Sequence, residues 1–391
     1  MIVAGTVTRL TPYETLISPE NFRLAWERVR YFDRPDSRDW IGFRVFAANR
    51  DYNLEILRKA VIERTFEANY PELKYIPKSS LTLRPMAVLS VNDRIVFQAI
   101  ANVVAERARP ALAMVTNRQS FANALAESGQ KRMFIPWKKQ YKLFQEKFCG
   151  LITEGNCWLA ETDAAAFYET VDHSMLFDLL CRNGFLDDQV HERLENYLPI
   201  WSSVKFGAPA KRGVPQGCLA SDLFADLFLY EFDGELAVQE YHYLRYVDDI
   251  RVLGDTKEAV QRGLIHIDMT LKSIGVLLQT KKTTVRKIES IADEVDHLAA
   301  QLSEIDRRLE EADLLEQTPP NDPILESSLK NVAMFGEDFQ HTEQIVQRAE
   351  SIQEELSTIF WKSICSTKAN DGYAFAERHM RFALYRLGIF I

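Results

Sequence analysis

The chain is 391 residues long, enough at about 150 residues per domain for two or three domains. With 47% hydrophobic and 26% charged residues its composition is globular, which excludes a disordered chain, a collagen and a disulfide-held miniprotein. No basic start leads into a long apolar run and nowhere do roughly 18 apolar residues follow one another, so neither export nor a membrane span is expected. The five cysteines are an odd number, widely spaced and without a C-x-x-C pair, which reads as reduced thiols in a cytoplasm and no zinc site.

The net charge of −9 averages three unlike segments. Residues 1–150 carry 24 Lys and Arg against 15 Asp and Glu, residues 151–288 carry 14 against 21, and residues 289–391 carry 9 against 20. A basic first part suits phosphates, an acidic middle suits divalent metal, and an acidic last part is poorly suited to gripping a polyanion. Solvated surface charge accounts for the same counts without any ligand.

In chain order, apolar positions from Asn21 to about Glu67 mostly recur at helical spacing, with Phe22, Ala25, Trp26 and Val29 on one face. Pro71, Pro77 and Pro85 punctuate the extended stretch YIPKSSLTLRPMAVLS, a strand or hairpin. Asn92 is placed to cap a helix carrying Ile95, Val96, Ala99, Ile100, Val103 and Val104, which should end before Pro110. Residues 151–288 alternate apolar runs with helical patterns. WLAET reads as a strand, His173 to Cys181 and about Ala220 to Ala237 as helices, YHYLRYV and IRVLG as strands, Lys257 to Ile274 as a helix, and VLLQT as a strand. The fold class expected is α+β, helices packed on an antiparallel sheet. Beyond Glu289, Ile291, Val295, Leu298, Leu302, Ile305, Leu309 and Ala312 make a heptad seam that either packs on its own domain or pairs two chains.

Tyr246-Val247-Asp248-Asp249 stands between two apolar strands. It is a plain hairpin turn unless a third carboxylate joins it, since Asp tolerates turn conformations. With that third group on a neighbouring strand end, the set can hold two Mg²⁺ ions about 3.5–4 Å apart. Asp163, closing WLAET, is the candidate, or else a helix cap. Five residues on, Tyr168 can pack beneath a nucleotide sugar and exclude a 2′-hydroxyl, or pack with Phe167 as ordinary core. Lys211-Arg212-Gly213-Val214-Pro215-Gln216-Gly217-Cys218 is a tight turn before a helix, open to close approach by a ligand or simply a loop. Gln216 offers both donor and acceptor to a base or ribose. Lys78, Arg84 and Arg94 suit a triphosphate tail, and Lys281 and Lys282 suit a departing pyrophosphate as general acid or counter-charge. Singly, each also reads as a surface residue.

In this order the segments resemble the reverse transcriptases. IPK…LRP with NDRIVFQAI corresponds to the fingers, D-AAAFY to motif A, GVPQG…S to motif B, YVDD to motif C and LLQTKKT to motif D, over roughly residues 20–288. The resemblance implies a right-hand polymerase with an antiparallel RRM-like palm. It divides the chain into 1–152 (N-terminal helices and fingers), 153–288 (palm) and 289–391 (an acidic, all-α region in the thumb position). It implies Asp163, Asp248 and Asp249 as ligands of two Mg²⁺ ions, with Mn²⁺ as a substitute. Lys282 joins them as a catalytic residue, Tyr168 is the sugar gate, Arg84 and Lys78 lie at the triphosphate, and Gln216 lies near the incoming nucleotide and template.

ENFRLAWERV, the run from Phe134 to Phe144 and TDAAAFYETVDH are similar to bacterial abortive-infection and defence-associated reverse transcriptases. The partners implied are deoxynucleoside triphosphates and an RNA or DNA template-primer, with a dedicated non-coding RNA as one form of template. Pairing of two chains through the heptad seam would give a homo-oligomer through the C-terminal helices, and no membrane partner is expected. The expected activity is RNA-directed DNA synthesis in antiphage defence. The acidic last part leaves open synthesis without a template or primed from Tyr373 or Tyr385; an RNA-binding scaffold derived from such an enzyme is a further alternative, against which the intact carboxylate set speaks, and RNA-templated RNA synthesis another, against which Tyr168 speaks.

Overall fold

The structure, a computed structural model, describes residues 10–32, 40–77, 83–237, 240–290 and 294. Two compact units divide the chain, one of Met1–Arg38 with Leu57–Gln317 and the other of Asp39–Ile56 with Thr318–Ile391. Lys78, Tyr373, Tyr385, the heptad seam and the helical region in the thumb position lie outside the described residues.

The expected helical run to Glu67 is interrupted. It comprises α2 (Pro19–Phe32), α3 (Trp40–Ala48) and α4 (Arg50–Ile62), and a short α1 (Pro12–Leu16) precedes it. Thr11 and Glu14 close a reciprocal capping box on α1, and Pro12 supplies a preset first turn. In the second unit, the Asn53 side chain donates to the Phe46 carbonyl at 3.0 Å, across the break between α3 and α4.

The stretch rich in proline is a hairpin of β1 (Glu72–Pro77) and β2 (Leu83–Val88), with Ile76 opposite Arg84. It leads into α5 (Val91–Val115), which is buried on nearly every face and packs against α1 and α2. Its cap is Ser90 rather than Asn92: the Ser90 hydroxyl accepts from the Asp93 amide at 3.2 Å. Asp93 in turn receives the Asn69 amide and side chain and the Trp201 indole, a donor set that satisfies a fully buried carboxyl whose pKa burial pushes up. Contrary to the expected stop, α5 continues through Pro110. Proline leaves the Glu106 carbonyl without its usual intrahelical partner, but burial of Ala108, Leu112 and Val115 carries the helix past that defect.

Next come α6 (Trp137–Thr153), β3 (Trp158–Asp163), α7 (Phe167–Thr170), α8 (His173–Arg182), α9 (Asp188–Trp201), α10 (Leu219–Phe228) and α11 (Tyr230–Leu236). The single helix expected from Ala220 to Ala237 is thus two, parted at Leu229. The remaining elements are β4 (His242–Tyr246), β5 (Asp249–Gly254), α12 (Lys257–Ser273) and β6 (Thr284–Lys287). VLLQT is not a strand. Because the chain turns at Ala164–Ala166, with Ala166 at φ +48°, only Leu278 bridges back to Ala164, and the fourth strand forms later, at β6.

Four strands in the order β4-β5-β3-β6, all antiparallel, form the sheet. Strand alternation sorts its residues by face. Leu159, Leu244 and Leu253 meet Phe121, Tyr141, Phe144, Phe148 and Leu151 on the side of α6. Each such side chain fully removed from water contributes about 1.5–3 kcal/mol. On the same side the Arg251 guanidinium lies over the Phe144 and Phe148 rings, at 5.0 and 4.8 Å, and pairs with Glu161. The opposite side carries Ala160, Val252 and Tyr243 and is covered by α12. Among the described residues, no helix is long and apolar enough to cross a membrane.

Candidate active site

β3 ends on Asp163 and β5 begins on Asp249, and the two residues stand directly opposite in the antiparallel register. Cross-strand partners share a face, with Cβ atoms about 4.5–5.5 Å apart. Asp248 precedes Asp249 in the two-residue turn, whose first residue, Val247, adopts φ +58°. The Asp248 carbonyl accepts the Ala164 amide at 3.1 Å, so turn and strand end are bonded to each other. Three carboxylates therefore issue from one end of the sheet.

Asp163 is nearly buried. Its Oδ2 accepts the Lys282 ammonium at 2.5 Å, whereas its Oδ1 is buried without a hydrogen-bond partner. The Gln279 amide donates to the Asp163 carbonyl at 2.8 Å, and the Lys282 amide to the Gln279 carbonyl at 3.0 Å, so a short turn returns the lysine to the strand end. The hydrogen bond to Asp163 raises the Lys282 pKa and keeps the ammonium charged. Desolvation in the cleft, then the neighbouring Asp248 carboxylate, push Asp249 up to about 6, although the residue as a whole is exposed. Desolvation also raises Asp248, and the charges of Lys282 and then Arg84 act against that rise.

These donors suit a hard divalent cation: carboxylate oxygens only, one of them buried and unpaired. The backbone brings the three aspartates together. The side chains are not drawn into a cage, and among the described residues no three His, Cys, Asp or Glu side chains are gathered as a metal site. Mutual repulsion of the carboxylates and the hold of Lys282 on Asp163 oppose such gathering.

Tyr168 follows on α7, half-buried beside the buried Phe167, and its hydroxyl donates to Asp222 Oδ1 at 2.6 Å. The glycine turn lies against it. The Val214 amide donates to the Tyr168 carbonyl at 2.7 Å, and Gly213 sits at φ +94° with room for a Cβ only 3.3 Å from that oxygen. Gln216 accepts the Ala87 amide through its carbonyl at 3.0 Å, joining this turn to the end of β2. Arg212 pairs with Asp172 and Lys281 is exposed. Arg94, expected near a triphosphate, is 1% exposed in the core along α5 and is removed from the candidate set.

Two groups escaped the sequence reading. Arg245 is buried, donating to Asp226 and Asp233 and, at 2.8 Å, to the Val247 carbonyl of the turn itself. An arginine inside the apolar run YHYLRYV was the available signal, because a buried guanidinium requires acidic partners. Asp222 had no signal beyond an acid in the first turn of a helix.

Over 216 residues, 54% of this chain, the sequence is 26% identical to Protein YkfC of Escherichia coli (strain K12), and the chain spans about half the length of that curated relative. Among solved structures, the telomerase of Candida albicans in complex with a fragment of telomeric RNA is similar at a TM-score of 0.40 and 14% identity, covering 60% of this chain and 47% of that one. A partial Cas6-RT-Cas1–Cas2 complex is similar at 0.35 and 18% identity, covering 67% of this chain and 43% of that one. The family described as reverse transcriptase (RNA-dependent DNA polymerase) matches residues 76–302, more than half of the chain, and the chain belongs to that family.

Proposed function

We propose that the chain is an RNA-directed DNA polymerase whose reaction takes place at Asp163, Asp248 and Asp249. The observation that carries this reading is the register of β3 against β5, which sets Asp163 opposite Asp249 with Asp248 in the adjoining turn, inside a chain of this family. The three carboxylates would hold the two Mg²⁺ ions, or Mn²⁺ in their place. When bound, such ions supply charge neutralisation for the hydroxyl and the leaving phosphate.

The reaction is phosphoryl transfer: the primer hydroxyl oxygen forms a bond to the α-phosphorus of a deoxynucleoside triphosphate and its proton passes to water, while the bond from the α-phosphorus to the bridging oxygen breaks and pyrophosphate departs. The chain's own residues place the reactants. Arg84 and Lys78 would take the triphosphate, Gln216 would meet the incoming nucleotide and template, and Tyr168 would lie under the sugar. Lys282 would release Asp163 as the cation binds, leaving an ammonium beside the departing pyrophosphate. In this reading β1 and β2 belong to the fingers and the four-stranded sheet to the palm.

Purified protein supplied with an RNA template, a DNA primer, deoxynucleotides and Mg²⁺ is expected to extend the primer, and Asp248→Ala is expected to lose all extension while keeping the parent's folded circular dichroism spectrum. Retained extension by that variant would overturn the assignment. The similarity of ENFRLAWERV and TDAAAFYETVDH to defence-associated enzymes supports a role in antiphage defence. In a phage challenge, cells carrying the parent chain should survive infection better than cells carrying Asp248→Ala.

A further inference from the structure

We infer that Asp222 is a specificity-determining residue. By anchoring the Tyr168 hydroxyl, it holds the ring where a ribonucleotide's 2′-hydroxyl would otherwise fit. The inference rests on the reading of Tyr168 as the surface beneath the sugar and assigns the rigidity of that surface to a residue 54 positions away.

A ring excludes one hydroxyl from a sugar only if it cannot swing aside, and the element bearing Tyr168 is poorly built to prevent that by itself. α7 has four residues, has no side-chain cap, and begins from Ala166 in the left-handed region at φ +48°. So short a helix draws its order from tertiary contacts. The contacts here come from the 213–222 segment. The Val214 amide bonds the Tyr168 carbonyl, and the Gly213 amide bonds the Val171 carbonyl, both at 2.7 Å. Gly213, at φ +94°, lets the two backbones approach. These bonds fix the main chain, and the ring itself meets Phe167 edge-on at 5.9 Å between centroids.

The phenol is held at its far end by Asp222 Oδ1, at 2.6 Å. That length is typical of a hydroxyl donating to an ionised carboxylate, the stronger class of hydrogen bond. Asp222 stands on the first turn of α10, and the Ser221 hydroxyl bonds the Pro215 carbonyl at 2.6 Å, so the anchor and the glycine turn are one piece. Ring and turn would therefore shift together.

A purely steric gate and an anchored gate differ in what phenylalanine does. Phenylalanine keeps the bulk and loses the anchor. The test is the ratio of deoxynucleotide to ribonucleotide kcat/KM for single additions by the full chain and by Tyr168→Ala, Tyr168→Phe, Asp222→Ala and Asp222→Asn. Tyr168→Ala should admit ribonucleotides freely. Tyr168→Phe and Asp222→Ala should each lower the ratio by roughly tenfold, the worth of a hydrogen bond to a charged group. Asp222→Asn, which keeps an acceptor, should stay near the parent. If Asp222→Ala fails to fold, Tyr168→Phe alone decides. Parental discrimination in Tyr168→Phe, alongside loss in Tyr168→Ala, would overturn the anchor and leave the gate standing. An unchanged ratio in Tyr168→Ala would overturn the gate, and no deoxynucleotide addition by the parent would overturn the polymerase reading beneath both.

Discussion

The ammonium of Lys282 lies 2.5 Å from Oδ2 of Asp163, two residues 119 positions apart in the chain. One oxygen of Asp163 is thus taken by a cation the protein itself supplies, and the other is buried and unpaired. A divalent ion at Asp163 has to displace that ammonium or share its carboxylate. Lys282→Met is therefore expected to bind Mn²⁺ more tightly in an electron paramagnetic resonance titration, while primer extension falls by at least about a hundredfold, the lower end for loss of a positioned proton donor or counter-charge. Metal affinity and extension both equal to the parent's would show the contact to be incidental.

Arg245 predicts a loss of a different kind. Its guanidinium is buried between Asp226 and Asp233 and donates to the Val247 carbonyl, so the charge cluster also braces the turn that carries Asp248. Breaking a buried pair by removing one partner costs about 3–5 kcal/mol. Arg245→Met should lower the free energy of urea unfolding by that order. Arg245→Lys restores the charge without the fork, so it should recover much of the stability but little of the extension rate. A loss below about 1 kcal/mol for Arg245→Met would contradict the bracing role.

The acidic edge should respond to pH with a defined sign. Asp249, raised to about 6 by desolvation and by Asp248, is mostly protonated below that pH, and the proton competes with a cation for the same oxygens. The apparent Mg²⁺ affinity should fall steeply as pH drops below about 6 and level off above 7. A raised carboxyl pKa also means that the folded state holds this proton more tightly than the unfolded chain does. Without metal, the site's contribution to stability is then lost as pH rises from the ordinary Asp value, 3.8, towards about 6. Thermal melts in chelator should show Asp249→Asn more stable than the parent above pH 6 and equal to it near pH 4, with Mg²⁺ narrowing the difference. The reverse order above pH 6 would mean the crowding is absent.

Two helical glycines should behave in opposite ways. At Gly263 on α12 an added Cβ would stand 2.8 Å from a Val252 methyl and 2.9 Å from the Tyr241 ring, so Gly263→Ala overpacks the helix against the sheet. The expected cost is about 1–3 kcal/mol, against a gain in helix propensity of about 1 kcal/mol. Gly234 on α11 has nothing within 4 Å of such an atom, and Gly234→Ala should gain up to about 1 kcal/mol. Urea midpoints of the two variants measure the contrast, and a stabilised Gly263→Ala would place α12 farther from β5 than it lies here.

What the amino-acid order determined by itself is local. The apolar run WLAET ending on Asp163, the paired aspartates between two short strands, and the periodic helix from Lys257 are set by alternation, turn chemistry and spacing among near neighbours, and they carry the acidic edge with them. Tertiary structure decided what depends on distant partners. α5 runs through Pro110 because packing outweighs a missing donor, and VLLQT yields the fourth sheet position to Thr284–Lys287 because β3 turns away at Ala164. Arg94 is drawn into the core, Lys282 reaches Asp163, Asp222 holds Tyr168, and Arg245 finds Asp226 and Asp233. Such pairings are chosen by burial and by the need to satisfy every buried charge and donor. That need arises only once the elements have packed together.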